Sequence, residues 1–551
     1  MIPLHLNSHS REAIARLIRM MLHKTKWMSL GDSIWLRNLV LVLLVLGIFF
    51  RFYNLDSKVY WYDETMTSLR ISGYTQSEFI AAAYTGETRS VGELLGQYQY
   101  PNNGSTLEES FRALAQHPEH SPLYYLLARW WMRALPNSVG VIRLLSAIIS
   151  LLALPCMFWL SMELFASPLV AWSITAFFAI SPFHMLYAQE AREYSLWTVT
   201  ILLSSASLLW AMRCDKAWVW TIYGLTAALG LYTHPFAGLV SVSHGLYVLI
   251  VEGVNFSKRF VAYLLASLFS LVLFAPWLQI VIQNFDLFLS NTQSVNQDRA
   301  GSLPLFWLLN LSRVFADFNQ GPSAINPLHY LLAILAIVSV VFLWRRAPLE
   351  SALFLTLLMG VTGLAILGPD ILLGGRRSSI TRYAVPCYLG LQMAIAYFLT
   401  SQIVSRPITV RAKTRSRKRW RAIAITLATL GALSVLVNSH IAVWWHKSYA
   451  KSRRNPDVAA HVNQLDAPIL LSDYQPAGRV LSLAHLLEPT VQIQLVEANN
   501  QASLPEDGTP LLLYLPSDRL MRFLENRQNI TLEPVQFNEE EPWLWQGKQE
   551  E

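Results

Sequence analysis

Residues 51–65 read RFYNLDSKVYWYDET, and they mark the point where the first long apolar run of the chain ends. The run before them, residues 35–52, is long enough to cross a bilayer, so the quoted stretch lies at a membrane boundary. It closes with two adjacent carboxylates, Asp63 and Glu64, which follow three aromatic residues. Acids among aromatic side chains at the mouth of a membrane segment make this stretch a candidate active site.

The composition of the whole chain is typical of a protein built mostly inside a membrane. Of its 551 residues, 53% are hydrophobic and only 14% are charged. The net charge of +7 comes from Lys and Arg in short patches between apolar runs, which is the pattern of cytoplasmic loops and not of a nucleic-acid-binding surface. The three cysteines have neither the spacing of a metal site nor that of a disulfide framework. We therefore expect a polytopic membrane protein that does not bind nucleic acid.

A membrane-spanning helix needs roughly 20 mostly apolar residues, and about eleven stretches of this chain qualify. They lie near residues 35–52, 139–163, 168–187, 193–212, 217–233, 236–252, 260–282, 327–344, 350–368, 383–403 and 421–444. The predicted membrane domain is thus residues 35–445. The basic residues before it are not followed by a cleavage site, so residues 1–34 are expected to be the cytoplasmic start of a retained anchor.

Residues 121–135, SPLYYLLARWWMRAL, are apolar but short, and they carry Arg129 and Arg133. If this segment lies in the membrane interface, the N-terminus and the other basic patches fall on one side, as the positive-inside rule requires. We therefore expect an interfacial helix in the first outer loop, residues 53–138, and a cytoplasmic N-terminus. The other segments expected outside are 187–193, 283–326 and 368–382.

The composition changes after the last predicted span. Short buried strands are expected at 469–473, 491–498 and 511–517, and helices at 477–487 and 518–528. This alternation predicts a small soluble α/β domain, residues 446–551, and the topology puts it on the outer side of the membrane.

Asp63 and Glu64 have two interpretations. Asp63 precedes a helix-compatible stretch, so it is placed to accept a backbone N–H bond as an N-cap, with no function beyond that. Alternatively, a partly desolvated aspartate beside aromatic residues such as Tyr62 has a raised pKa and takes a proton from a hydroxyl group. The pair alone leaves both interpretations open.

The turn YAQEARE, residues 187–193, brings Tyr187, Glu190 and Arg192 together between two apolar runs. Charges at the end of a span often mark only the water interface. Because so many polar and aromatic groups share one short turn on the predicted face of Asp63, we expect the turn to belong to the site. Glu190 and Arg192 are expected to pair and to hold Asp63 or a substrate in place.

Three arginines, Arg376, Arg377 and Arg382, lie in GGRRSSITRY on the outer side, against the positive-inside trend. Arginine binds phosphate with a rigid multidentate fork, and the preceding glycines allow close backbone approach. The stretch therefore predicts a site for a phosphate-bearing lipid headgroup. Contact with ordinary anionic membrane lipid is the simpler alternative.

Histidines on the same face are further candidates. His234 begins a predicted span in YTHPFAG, and His117, Glu119 and His120 precede the interfacial segment. Lone histidines are more often hydrogen-bonded structural groups than ligands, so a His/Glu metal site is an alternative and not the expectation. The amphipathic residues 303–318 are expected to lie on the membrane beside the site.

In their order along the chain, these motifs resemble the integral-membrane GT-C glycosyltransferases. The branch concerned is the family 39-like one, with the protein O-mannosyltransferases and the aminoarabinose transferases of lipid A. The resemblance covers roughly residues 35–400 and rests on the Asp-Glu pair, HSPLYYLL, SPFHMLYAQEAREYSLW, a THP turn and RY followed by a proline. It implies a mainly α fold of GT-C type, a polytopic helix bundle with interfacial helices in the first outer loop.

The resemblance implies transfer of a sugar from a polyprenyl-phosphate-linked donor to an acceptor hydroxyl or amine at the outer face. The acceptor is expected to be lipid, polysaccharide or protein. By match to the first-loop motif, Asp63 is the base of an inverting displacement and Glu64 positions or tunes the acceptor. The other matching residues are Tyr62, Tyr187, Glu190, Arg192 and His234 for positioning, and Arg376, Arg377, Arg382 and Tyr383 for the lipid phosphate.

The resemblance also implies that no cofactor is required, although Mg²⁺ or Mn²⁺ at the acid pair stays open as an alternative. Two departures limit it. HSPLYY lacks the lysine that the aminoarabinose transferases place before this proline, which argues against that substrate, and the C-terminal domain is not the β-trefoil of eukaryotic O-mannosyltransferases. The expected location is the bacterial inner membrane.

A transporter or lipid flippase is the main alternative function, because such proteins also have many spans and buried polar groups. Transporters place charged residues near the bilayer midplane and often contain paired half-repeats. In this chain the charged cluster is predicted at the outer ends of the spans, and no repeat is visible. A catalytically inactive receptor is a second alternative.

Overall fold

The computed structural model describes residues 32–102, 104–214, 216–253, 256–293, 302–404, 410–444, 449–497, 510–528, 530–537 and 542–549. The predicted basic segment 1–34 lies outside the described residues up to residue 31. The first helix and the elements of the first outer loop are α1 (Asp32–Phe52), α2 (Tyr62–Ile71), α3 (Gln76–Ala83), β1 (Thr85–Ser90), α4 (Val91–Tyr98), α5 (Leu107–Ala115) and α6 (Leu123–Ala134).

The helical bundle follows this loop, and a mixed α/β unit ends the chain. The bundle contains α7 (Val139–Phe165), α8 (Pro168–Ala179), α9 (Pro182–Ala188), α10 (Tyr194–Cys214), α11 (Ala217–Thr233), α12 (Ala237–Glu252), α13 (Lys258–Gln283), α14 (Phe285–Thr292), α15 (Leu303–Arg313), α16 (Pro327–Arg346), α17 (Leu349–Leu372), the 3₁₀ turns Arg377–Ser379 and Thr381–Ala384, α18 (Val385–Val404) and α19 (Val410–His440). The final unit contains α20 (Tyr449–Ser452), α21 (Asn455–Val462), β2 (Ile469–Ser472), α22 (Ala477–Ala484), β3 (Gln492–Val496), β4 (Leu511–Tyr514), α23 (Asp518–Gln528), β5 (Ile530–Val535) and β6 (Leu544–Gln549).

The bundle has the helices that a polytopic membrane protein needs. Among the described residues, 8 helices are long and apolar enough to cross a membrane, and the bent pair of α8 and α9 makes up to 9. Each predicted apolar stretch coincides with a helix, although α11 has only 17 residues and α12 only 16. The α13 helix is the clearest case, because its most apolar window has a mean hydropathy of 2.1 but is only 17% buried within the protein. Such an exposed apolar surface is stable in lipid and not in water.

The predicted span 168–187 is broken into α8 and α9, which meet at an angle of 62°. Pro182 begins α9, and a proline there cannot donate a backbone hydrogen bond to the preceding turn, so the helix changes direction. Ser181 lies in the break and donates from Oγ to the carbonyl of Val314 at 2.6 Å. The bend directs the following turn, residues 189–193, into the protein interior.

The predicted outer segments meet at one end of the bundle. Asn291 donates from Nδ2 to Oε2 of Glu119 at 3.0 Å, which joins the 283–326 loop to the first outer loop. Trp307 donates from Nε1 to Oγ of Ser378 at 2.9 Å, which joins the same loop to the arginine-rich stretch. The short α6 helix also lies here, as the interpretation of residues 121–135 as a non-spanning helix requires.

Two of the basic patches lie together at the opposite end. Arg213, at the end of α10, pairs with Glu163 near the end of α7. Ser351 at the start of α17 donates to the carbonyl of Leu164, so the 345–346 patch just before α17 lies beside the same end of α7. These two basic patches therefore share one end of the bundle.

The predicted C-terminal strands are present, but the sheet is larger than expected. It has six strands in the order β1-β3-β2-β4-β6-β5, with β2 parallel to β3 and β4 and the other pairs antiparallel. The β5 and β6 strands were not predicted. The β1 strand comes from the first outer loop and pairs with β3, so the sheet is not confined to residues 446–551.

The outer loop and the C-terminal unit share one hydrophobic core. Side chains alternate across the strands, so Leu470 and Leu512 face one side of the sheet while Leu471 and Leu513 face the other. The first side packs against buried residues of the outer loop such as Met66 on α2, and the second side is covered by α23. The C-terminal unit is therefore built onto the helix that carries the acid pair.

Candidate active site

Asp63 lies in the first turn of α2, which begins at Tyr62 and has Trp61 at its N-cap position. The interpretation of Asp63 as an N-cap is therefore wrong. Its side chain is 19% exposed, and Oδ2 lies 3.4 Å from Nη2 of Arg382 in the 3₁₀ turn Thr381–Ala384. The carboxylate thus remains accessible and faces a cation from a distant part of the chain.

Glu64 points into the protein, because consecutive helical residues are rotated by about 100° around the axis. It is 1% exposed, and its oxygens accept from Nε and Nη2 of Arg143 at 2.8 and 2.7 Å. Oε1 also accepts from the backbone N–H of Ala191 at 2.8 Å. Arg143 further donates to backbone carbonyls of the segment 55–59. This buried pair fixes α2, the start of α7 and the 189–193 turn relative to one another.

Arg192 forms a second side of the site. Its Nη2 lies 3.0 Å from Oε1 of Glu193, and both side chains are 3% exposed. Its Nη1 lies 3.4 Å from the carbonyl of Asp63 and 3.4 Å from Oγ1 of Thr67. Glu190 was the predicted partner, whereas the ion pair in the structure is with Glu193, the acid that directly follows Arg192. Arg192 is thereby held against α2, next to Asp63.

Glu190 and Tyr187 lie deeper than Arg192. Glu190 is fully buried, and its carboxylate is close enough to Arg143 and Tyr187 to interact electrostatically with both. The ring of Tyr187 packs edge-on against Tyr194, with the centroids 4.9 Å apart. These two predicted residues form the inner wall of the site.

The arginine-rich stretch divides into two parts. Gly374 and Gly375 have φ angles of 79° and 118°, a region that favours glycine, and they turn the chain after α17. Arg377 then lies 3.0 Å from Asp370 of α17, whose other oxygen accepts from the backbone N–H and Oγ of Ser378 at 2.7 and 2.6 Å. Arg377 thus stabilises the end of α17, while Arg382 extends to Asp63.

The guanidinium of Arg382 is surrounded by aromatic rings. It lies 5.9 Å from the ring centroids of Trp61 and Tyr194 and 5.7 Å from that of Tyr383, within the range of cation–π contacts. The Nε atoms of Arg376 and Arg382 are buried without a hydrogen-bond partner among the described residues. Buried donors without partners are costly, so these atoms favour the binding of an anion.

The pKa of Asp63 is set by the cations around it. Burial opposes ionisation, but the positive charges of Arg382, Arg192 and Lys451 outweigh it and hold the pKa of the Asp63 carboxyl below its usual value. The expectation of a raised pKa was wrong, because the sequence alone does not show these distant cations beside Asp63. Asp63 is therefore ionised at neutral pH.

The C-terminal unit contacts the site through Tyr62. The Nζ atom of Lys451 lies 3.8 Å from the centroid of the Tyr62 ring. A Cβ added to Gly478 would lie 2.5 Å from the same ring, so α22 approaches α2 as closely as a glycine permits. Thr65 also donates from Oγ1 to the carbonyl of Gly478 at 3.3 Å. Tyr62, predicted as a positioning residue, is thus the contact between α2 and the C-terminal unit.

Two predicted histidines differ in their surroundings. His120 lies 3.6 Å from Oε1 of Glu193 and 3.5 Å from Nη2 of Arg192, so it belongs to the polar cluster behind Asp63. His234 instead stacks on Trp197 with the centroids 4.0 Å apart, and burial lowers its pKa to about 3. His234 is therefore neutral and packs with the aromatic ring of Trp197.

The alternative of a metal site at His117, Glu119 and His120 has no support in the geometry. His117 and Glu119 form a hydrogen bond of 3.2 Å with each other. Within the part of the chain that the structure describes, no group of three or more His, Cys, Asp and Glu side chains is arranged to hold a metal ion.

Three further cations belong to the site's framework, and none of them was predicted to have a role there. Arg143 holds Glu64, and Arg129 donates to the carbonyls of Ile71 and Ser105 at 2.5 and 2.6 Å. Both lie within predicted apolar segments, where a charged side chain is costly unless it has a partner. Lys451 belongs to a basic run that the topology puts on the outer side. Like the arginine-rich stretch, this run opposes the positive-inside trend.

Comparisons with known proteins identify the fold. No family model matches the sequence, and no curated protein matches it. ArnT from Cupriavidus metallidurans bound to undecaprenyl phosphate superposes with a TM-score of 0.52 at 13% identity, over 93% of this chain and 97% of that one. ArnT in the apo state gives 0.51 at 13% identity, over 94% and 98%. The match to ArnT over almost the full length confirms the GT-C fold predicted from the motifs.

Proposed function

We propose that this GT-C chain is a membrane glycosyltransferase that uses a polyprenyl-phosphate-linked sugar donor. It transfers the sugar, with inversion, to an acceptor hydroxyl of a lipid, polysaccharide or protein at the outer face, and Asp63 is the general base. The observation that carries the proposal is the ionised, accessible Asp63 placed 3.4 Å from Arg382 where the outer segments meet. The fold supports it, since ArnT has this fold and was crystallised with undecaprenyl phosphate.

Asp63 accepts the proton of the acceptor hydroxyl while the hydroxyl oxygen bonds to the anomeric carbon of the sugar. Because the pKa of Asp63 is lowered, its carboxylate is a weak base. Proton transfer therefore occurs late in the step, when the attacking oxygen has become acidic through its new bond. A single displacement from the face opposite the phosphate inverts the anomeric centre.

The bond that breaks joins the anomeric carbon to a phosphate oxygen, and polyprenyl phosphate leaves with the electron pair. Its growing negative charge is met by Arg382 and Arg376, whose buried Nε atoms have no hydrogen-bond partner among the described residues. Donors that are already oriented toward a developing charge stabilise the transition state without reorganisation. Tyr383 supports the Arg382 guanidinium, and Arg377 acts through the end of α17.

The other residues of the site act by positioning. Glu64 fixes α2 through Arg143, and Arg192 holds the backbone of Asp63. Tyr62, Tyr187, Glu190 and His234 line the space around the acid and give it shape. No step of this scheme uses a metal ion or another cofactor, since the arginines neutralise the leaving group.

The location of the site explains why the catalyst lies in a membrane. A polyprenyl chain is apolar and is bound most favourably from within the bilayer, whereas an acceptor approaches from outside. We place the protein in the bacterial inner membrane, with the N-terminus in the cytoplasm and the C-terminal unit outside. The outer loops then limit the access of water and hydrolysis of the donor.

The substitution Asp63→Asn tests the base. The purified protein is reconstituted in vesicles and incubated with radiolabelled polyprenyl-phosphate sugar and a membrane extract as the acceptor source. We expect transfer to fall by about 10²–10⁴-fold, the usual contribution of a general base, with an unchanged unfolding temperature. Asp56→Asn is the matched control, because Asp56 is an exposed acid of the same loop and should transfer at the wild-type rate.

Transfer at the wild-type rate by Asp63→Asn would contradict the assignment of the base. The same vesicles separate the alternative functions. A transporter or flippase would move the labelled donor across the bilayer without forming a new labelled product, and an inactive receptor would only bind it.

A further inference from the structure

We propose that Lys451 of the C-terminal unit binds the phosphate of the lipid-linked donor together with Arg382. Lys451 lies in α20, the short helix that follows the last predicted span. This inference rests on the proposed function and deepens it, since it makes the C-terminal unit part of the donor site.

The position of Lys451 is the first argument. Its Nζ lies 3.8 Å from the centroid of the Tyr62 ring, and Tyr62 directly precedes Asp63. The amine interacts electrostatically with both Asp63 and Arg382. It therefore lies at the edge of the same space in which Arg382 is placed to bind a phosphate.

The support of this position is the second argument. Ser452, next to Lys451, is 1% exposed, so α20 is anchored and does not swing freely. His485 of the C-terminal unit packs edge-on against Tyr60 at a centroid distance of 4.6 Å, and its Nε2 lies 3.1 Å from Oε1 of Gln99. The C-terminal unit is thus also attached to the segment before α2 and to the end of α4, which fixes the position of Lys451.

The excess of positive charge is the third argument. Asp63 is the acid that acts on Lys451, whereas Arg382, Arg479 and Arg376 act on it as like charges. Burial and these three arginines lower the pKa of Lys451, and Asp63 offsets only part of this. Partly buried cations without enough counter-charge are costly. The phosphodiester of the donor supplies one negative charge, and the polyprenyl phosphate that leaves is a monoester with about 1.5 to 2.

A purely structural role is the alternative for Lys451. In that case the lysine only covers the Tyr62 ring by a cation–π contact and holds the C-terminal unit in place. Lys451→Met removes the charge but keeps a side chain of similar length, while Lys451→Arg keeps the charge. Lys548→Met is the matched control, because Lys548 is an exposed lysine of the same unit, paired with Glu533.

The experiment measures the Kd of radiolabelled undecaprenyl phosphate for the full-length protein in nanodiscs. We expect Lys451→Met to raise Kd by about 10-fold or more, the loss typical of a hydrogen bond to a charged group. Lys451→Arg should restore binding to within a few-fold, and Lys548→Met should bind like the wild type. A Kd for Lys451→Met equal to that of the wild type would overturn the inference.

The pH dependence of binding gives a readout that a structural lysine would not change. Above pH about 8 a phosphate monoester is fully ionised, so a further loss of affinity reports a group on the protein. The groups that face Lys451 are Tyr62, Asp63, Arg376, Arg382 and Arg479. Since the charged amine is lost as pH rises through its lowered pKa, Kd of the wild type should rise at alkaline pH, and Lys451→Arg should remove that rise. If the wild type does not bind undecaprenyl phosphate at all, the proposed function fails and not only this inference.

Discussion

Asp63 and Glu64 are neighbours in one helical turn, yet their surroundings are opposite. Glu64 forms a closed, buried ion pair with Arg143 in which both side chains are at most 2% exposed. Asp63 forms a more open pair with Arg382, at 3.4 Å and with 19% and 23% of the two side chains exposed. The Glu64 pair is buried behind α2. The Asp63 pair lies on the exposed side of α2, where a substrate can approach.

The difference separates a fully hydrogen-bonded pair from an open one. Arg143 donates two hydrogen bonds to Glu64, and its other N–H groups donate to backbone carbonyls. The hydrogen-bonding capacity of this guanidinium is therefore used without a ligand. Around Asp63 the neighbouring cations Arg382, Arg192 and Lys451 outnumber the acid, which is the feature on which the proposed anion site rests. Two adjacent acids thus combine a buried support with an accessible carboxylate.

Removing the charge of Glu64 should have the largest effect on stability. In Glu64→Gln, Arg143 stays buried but loses the carboxylate that accepts two of its hydrogen bonds, and we expect the free energy of unfolding to fall by about 3–5 kcal/mol. Asp63→Asn, in the more exposed pair, should cost less than about 1 kcal/mol. Chemical unfolding in detergent measures both variants. If Glu64→Gln unfolds like the wild type, the buried Glu64 pair does not stabilise the protein more than the Asp63 pair does.

Removing Arg382 should shift the pH dependence of catalysis. The Arg382 guanidinium is the largest of the effects that lower the pKa of Asp63, and burial acts against it. In Arg382→Met the pKa of Asp63 should therefore rise, because one close opposite charge is lost.

A base works only when ionised, so activity is lost as pH falls through this pKa. The acid limb of kcat/KM, which reports the free enzyme, should move to higher pH in Arg382→Met. An acid limb that stays at the wild-type position would show that Arg382 does not control Asp63.

Crowding the contact between the C-terminal unit and α2 should cost less stability than Glu64→Gln. The new methyl group of Gly478→Ala would lie 2.5 Å from the Tyr62 ring, and we expect a loss of about 1–3 kcal/mol in stability as the ring moves. Gly96→Ala is the control, since a Cβ there has no atom within 4 Å, and it should be neutral or stabilising. Thermal unfolding of the two variants makes the comparison, and equal effects would mean that the contact with α2 is loose.

Much of the membrane part was predictable because its signal is local. An apolar run such as 139–163 has to be a helix in a bilayer, whatever lies around it, and α7 occupies that run. Strands such as β2 and β4 also carried their own apolar pattern. The acid pair and the arginine-rich stretch could be predicted as site candidates because they are charged groups at the outer ends of apolar spans, where few charges are expected.

The rest depended on contacts between distant segments. Nothing near Glu64 in the sequence indicates Arg143, and nothing near Asp63 indicates Lys451, so neither the closed pair nor the lowered pKa could be predicted. The β1 strand, TGETRS, is polar and contains a glycine, so it has no pattern of a buried strand. It became a strand through its partner β3 and not through its own sequence.

The pairing of β1 with β3 has a consequence for how the protein is made. Gln494 of β3 bonds to the carbonyl of Gly86 in β1, 408 positions earlier in the chain. At synthesis rates of about 5–20 residues per second, β1 waits roughly 20–80 s for this partner. During that time its edge is unpaired and open to other chains or to proteases. A chain that stops before β3 therefore keeps this edge of β1 unpaired.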